Sequence, residues 1–145
     1  MSRADKAKEY FLQGYNCSQA VALAFADLTN LDEPTLLKLT QPFGGGLGRL
    51  RLTCGAVSGM ALVYGLLTDE TASKAEVYAT TQALCKAFEE ENGSLICGDL
   101  LTGANLKVTI GGEAEKRTEE YYKKRPCPEI VYSAAKILEE YLNNK

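Results

Sequence analysis

The segment 128-PEIVYSAAKILEEYL-142 carries its apolar residues at helical intervals. Ile130, Val131, Ala134, Ile137, Leu138 and Tyr141 are three or four residues apart, which puts them on one face of an α-helix. Pro128 lacks an N–H and suits the first turn of that helix. A helix with one apolar face must bury it against another element, so the remaining chain has to supply partners of the same kind.

It does, over most of its 145 residues. Ala4, Ala7, Tyr10 and Phe11 share a face of a first helix, which Gly14 ends. Asn16 caps a second helix, CSQAVALAFADLTN. DEPTLLKLT begins a third, with Pro34 in its first turn. QPFGGGLGRLRL (41–52) has four glycines between Gly44 and Gly48 and cannot stay helical. Thr53 is expected to cap the apolar helix CGAVSGMALVYGLL. Asp69 or Thr71 opens the longest amphipathic segment, to about Glu91, with Val77, Thr81, Leu84, Cys85 and Phe88 on one stripe. Asn92-Gly93 stops it, Ser94 caps a short helix LICGDLL, and EAEKRTEEYYKK (113–124) reads as a polar helix. LKVTI (106–110) has the composition of a strand but no partner. The expected architecture is an all-α, single-domain bundle of about six to eight helices spanning 1–145.

Composition narrows the function. A net charge of −3 and a pI near 5.1 offer no basic surface for nucleic acid or anionic lipid. The N-terminus has no continuous apolar run of the signal-peptide kind, and Cys54 to Leu67 is too short to span a bilayer, so a cytoplasmic protein is expected. Histidine is absent altogether, which excludes Cys-His and Ser-His catalysis and histidine-ligated zinc or haem. The five cysteines are an odd number and form no C-x-x-C pair, leaving metal binding, redox chemistry and simple burial as their roles.

Four of these thiols fall in the expected first turn of a helix: Cys17 after Asn16, Cys54 after Thr53, Cys97 near Ser94, and Cys127 before Pro128. Unpaired N–H groups and the positive end of the helix dipole favour a thiolate there. Cys85 lies in mid-helix on the apolar stripe and reads as structural. The four are separated by at least 30 residues, so only the fold can bring them together; if it does, they should gather around the Gly44–Gly48 loop. Cys54, with a helix dipole behind it and Arg49 and Arg51 upstream, is expected to ionise near neutral pH, against the opposing effect of burial beside Ala56 and Met60.

The glycine loop fits neither G-x-G-x-x-G nor the Walker pattern. Two readings stand: an anion or cofactor contact made by Gly44, Gly45, Gly46, Gly48 and Arg49, or a tight bend that brings the chain close to the Cys54 helix. Gly55 and Gly59 are suited to letting another helix approach. Tyr121, Tyr122 and Lys123 to Arg125 read as a solvated face with a partly buried aromatic.

The blocks GYNCSQAV, PFGGGLGR, TCGAVSGM, GSLICGDLL and RPCPEIVYSAAKILEE, from Gly14 to Glu140, resemble the C_GCAxxG_C_C family, named for its cysteines and described as redox-active. The resemblance places the family cysteines on Cys17, Cys54, Cys97 and Cys127 and leaves Cys85 outside. It implies a thiol-based redox protein that passes electrons by thiol/disulfide exchange to a partner protein or small thiol. Two alternatives remain open: a four-cysteine metal or iron–sulfur module using the thiolates of Cys17, Cys54, Cys97 and Cys127, and a helical interaction protein. A homo-oligomer is compatible with any of the three.

Overall fold

Nine α-helices and no strands account for the fold, in a computed structural model that describes residues 1–145; 65% of the chain is helical. The helices are α1 (Arg3–Leu12), α2 (Cys17–Leu23), α3 (Ala26–Thr29), α4 (Glu33–Thr40), α5 (Gly55–Leu67), α6 (Lys74–Asn92), α7 (Cys97–Gly103), α8 (Glu119–Lys124) and α9 (Cys127–Asn143). No helix is long and apolar enough to cross a membrane.

Local capping chemistry sets several starts. Ser2 and Asp5 form a reciprocal capping box on α1, and Asn16 and Gln19 form another on α2. Asp32 caps α4, with Pro34 in its first turn. The expected second helix is broken: α2 stops at Leu23, and α3 ends at Asn30, which is left-handed. This break supplies the ninth helix.

Other boundaries differ from the sequence expectation. Ser73, not Asp69 or Thr71, caps α6, because Asp69 is engaged in a local turn with Thr71. Only Glu119–Lys124 of the polar segment 113–124 is helical, and Thr118 caps it. Thr53 does not cap α5. It pairs with Ile96 in a single antiparallel contact, and Cys54 takes the cap position. Ser94 likewise sits before α7 without capping it: its hydroxyl accepts from Ile96 N–H and donates to Asp99.

One core of 24 buried residues joins the helices. Helix α9 lies chiefly against α1, α2 packs against α5, and α6 lies across α9 and α5. Ile130, Val131, Ala134, Ile137 and Leu138 are buried, as the α9 periodicity requires. The close fit of α5 to α2 rests on two glycines. A Cβ on Gly59 would stand 2.7 Å from the Ser18 carbonyl oxygen, and one on Gly55 2.8 Å from that of Phe43. This contact brings the starts of α2 and α5 together and so places two of the cysteines side by side.

Candidate functional site

Each of four cysteines begins a different helix. Cys17, Cys97 and Cys127 are the first residues of α2, α7 and α9, and Cys54 is the cap of α5. Despite their separation in sequence, all four line one cavity of about 60 Å³. Cys85 does not line it; that thiol is half-buried on α6.

Two devices make the convergence. The first is the α2/α5 glycine contact. The second is a short clasp between 51–54 and 95–98: Cys54 N–H donates to Leu95 O (2.8 Å), Cys97 N–H to Leu52 O (2.6 Å) and Gly98 N–H to Arg51 O (3.1 Å). The glycine loop fills the gap between them. Gly45 and Gly46 line the cavity, and a Cβ on Gly46 would stand 2.6 Å from Cys97 Cβ.

Most of the loop's N–H groups are consumed internally. Those of Gly48, Arg49, Arg51 and Leu52 donate to Pro42, Gly44, Gly45 and Gly46 carbonyls. The tight-bend reading therefore describes Gly48, which lines neither this cavity nor its neighbour. Gly44, Gly45 and Arg49 do line the neighbouring pocket.

Arginines supply the site's electrostatics. Arg51, only 7% exposed, donates from Nε to Thr109 O (2.9 Å), and its Nη1 lies 3.7 Å from Cys97 Sγ. Arg117 donates to Phe11 O and Tyr15 O (both 3.1 Å) and stacks over the Phe11 ring at 4.2 Å. Arg125 pairs with Glu115 and lies 4.9 Å from the Tyr121 ring centre. The expected solvated face at Lys123 to Arg125 is thus corrected at its end, where the Arg125 side chain is 9% exposed and lines the thiol cavity.

The four thiols respond differently to these surroundings. Cys127 is held below the ordinary thiol range, first by the neighbouring Cys17 thiol and then, against burial, by Arg125, Arg117 and Arg51. The neighbouring Cys127, together with burial, pushes Cys17 well up. Cys97 is raised by burial and partly offset by Arg51.

Cys54 corrects the sequence expectation. The Ala56 and Val57 amides at the start of α5 do favour its thiolate, but burial outweighs them and pushes it up to about 12. Neither upstream arginine relieves it, since Arg51 turns to Cys97 and Arg49 donates to Gly111 O and Thr109 Oγ1. Of the four, only Cys127 is shifted below the ordinary thiol range.

The residues also bear on a metal. No group of three or more Cys, Asp or Glu side chains is placed to hold a metal ion. Three guanidinium groups line the cavity with the thiols, and they favour the thiolate form. The four thiols share a cavity without converging on one point as ligands would.

A family model with the description "Putative redox-active protein (C_GCAxxG_C_C)" matches residues 15–141. The chain belongs to the C_GCAxxG_C_C family. No curated protein and no solved structure matches it. The four cavity cysteines all lie within the matched span. Arg117, Tyr121 and Arg125 lie within the matched span but are not part of the name. Sequence reading missed them as site residues; the only local signal was Arg125, two residues ahead of Cys127.

Proposed function

We propose that the protein is a thiol–disulfide exchange protein with Cys127 as nucleophile and Cys17 as its resolving partner. The observation that carries this reading is that Cys17 and Cys127 line one small cavity with Arg51, Arg117 and Arg125; the arginines favour the thiolate of Cys127, which is the thiol shifted below the ordinary range. A thiolate is the attacking form in disulfide exchange.

The Cys127 thiolate attacks one sulfur of a substrate disulfide. A mixed disulfide forms, the substrate S–S bond breaks, and the first substrate thiolate leaves and takes a proton from water. Bonded to substrate, Cys127 no longer carries the negative charge that opposes ionisation of Cys17. Cys17 then releases its proton and attacks the Cys127 sulfur, expelling the second substrate thiolate. Two protein thiols become one disulfide, and the substrate disulfide becomes two thiols, a transfer of two electrons. Buried Cys54 keeps its proton throughout, and Cys97 stands beside Arg51 as a further thiol of the cavity.

The test is alkylation of the reduced protein across pH, read at each cysteine by mass spectrometry. Cys127 should react at least about tenfold faster than Cys85 at neutral pH, because rate follows thiolate fraction. Mild oxidation should link Cys17 to Cys127, and Cys127→Ser should abolish that link. Equal rates at Cys127 and Cys85, or a disulfide formed without Cys127, would sink the assignment.

A further inference from the structure

Beside the thiol cavity is a second pocket, of about 250 Å³, with four arginines in its wall: Arg49, Arg51, Arg117 and Arg125. The only carboxylate lining it is Glu115, which Arg125 holds ionised below the usual carboxylate range. Four guanidinium groups against one carboxylate leave a strongly positive concavity, although the chain as a whole is acidic. Arg51, Arg117, Arg125 and Tyr121 line both spaces, so the two share a wall.

The guanidiniums are fixed but not used up. Arg51 is more than nine-tenths buried, with Nε bonded to Thr109 O and Nη1 beside Cys97, and its Nη2 has no protein partner. Arg49 is anchored through Nε and Nη2, leaving Nη1 4.0 Å from Glu115. Planar guanidinium edges held in this way match a carboxylate in two-point contact. A low-dielectric wall with one sign of charge also concentrates counter-charged solutes.

We infer that the arginine pocket binds the carboxylate of a small anionic disulfide and presents its sulfur to the adjoining thiols. This inference rests on the exchange reading above and adds the substrate class. The volumes favour a compact molecule: the larger pocket accepts a short carboxylated arm, and the thiol cavity has room for only a few water-sized groups. Electron balance is that of the exchange step, with the carboxylated disulfide leaving as two carboxylated thiols.

The experiment uses the reduced full chain and two probes, dianionic 3,3′-dithiodipropionate and neutral bis(2-hydroxyethyl) disulfide. Each rate of Cys17–Cys127 oxidation is normalised to that probe's rate with a free small thiol. At low ionic strength the dianion should be favoured about tenfold, the lower end of what electrostatic focusing provides, and added salt should reduce the preference. Binding of inorganic sulfate, measured by calorimetry, reads the pocket without redox chemistry. Arg49→Gln and Arg51→Gln should each weaken sulfate binding and lower the dianion preference while the helical circular dichroism is retained. If Arg51→Gln fails to fold, Arg49→Gln, away from the thiols, carries the test alone. Equal normalised rates for the two probes would overturn the anionic-substrate inference while leaving disulfide exchange in place. Sulfate bound with neither probe reacting would overturn the substrate assignment together with the exchange reading. Preference and sulfate binding unchanged in Arg49→Gln would overturn the pocket assignment.

Discussion

The two sides of the thiol cavity are built from different material. On one side, α1, α2, α5 and α9 present Phe11, Cys17, Cys54 and Ile130 from a close-packed helical core. On the other, the glycine loop, the coil before α8 and α8 itself present Arg51, Arg117, Tyr121 and Arg125. The helical side removes water and so raises the thiols, most clearly Cys54. The irregular side returns positive charge, and Cys127 is the one thiol that ends below the ordinary range. Placing a cysteine at a helix start is therefore not enough to make it reactive: all four have that position, and one is lowered. Local dipole effects are of the order of 1 kcal/mol, whereas full burial of a charge shifts a pKa by several units.

The largest effect expected from this contrast is alkaline destabilisation through Cys54. Its folded value, about 12, lies above that of an unfolded thiol. At pH values between the two, the unfolded chain has lost the proton and the folded chain still holds it. Stability is thus fully present below about pH 8.5 and falls as pH rises towards 12, by about 5 kcal/mol at most from this group. Denaturant unfolding of the reduced protein from pH 8 to 11 should show the decline, and Cys54→Ala should make it shallower, leaving the share of the other raised thiols, Cys17 and Cys97. A parallel decline in both proteins would mean that the helical side does not desolvate this thiol.

A smaller loss is expected from Gly59→Ala, which attacks the helical side directly. The added methyl would meet the Ser18 carbonyl oxygen at 2.7 Å and force α2 from α5. Overpacking of this kind costs about 1–3 kcal/mol, offset by nearly 1 kcal/mol of helix propensity, for a net loss of up to about 2 kcal/mol. Alanine at Gly65, where an added Cβ meets nothing within 4 Å, is the control and should not destabilise. Equal unfolding midpoints for the two variants would contradict the close-contact role of Gly59.

Arg117→Gln should cost least in stability, about 1 kcal/mol, for the loss of charged hydrogen bonds to Phe11 O and Tyr15 O. Its effect should concentrate on the irregular side: faster hydrogen exchange in residues 113–118 and an upward shift in the pH midpoint of Cys127 alkylation. Unchanged Cys127 titration would show that the remaining arginines suffice to hold its thiolate.

Helix identity was largely legible in the sequence because it depends on short-range pattern and capping. The stripe on α9, the Asn16 cap and the glycine stop at Gly93 needed nothing beyond their neighbours. Boundaries failed where a side chain chose another partner, as when Thr53 paired with Ile96. The segment 105–118 was opaque for a related reason. It has no helical periodicity, and its course is held by long-range bonds from Arg49 and Arg51 to Thr109 and Gly111 and from Arg117 to α1.

By itself the sequence determined an all-helical chain without histidine, with four cysteines at helix starts and a fifth outside the pattern. Helical period, capping residues and composition are local properties, readable one window at a time. Only the tertiary structure decided that the four thiols face one cavity, that Arg117 and Arg125 join them, and that Cys127 is shifted towards the thiolate while Cys54 is shifted away from it. Those outcomes depend on burial and on through-space charge between residues up to 110 positions apart, such as Cys17 and Cys127. Desolvation and Coulomb energy are set by distance in space, and separation along the chain does not encode it.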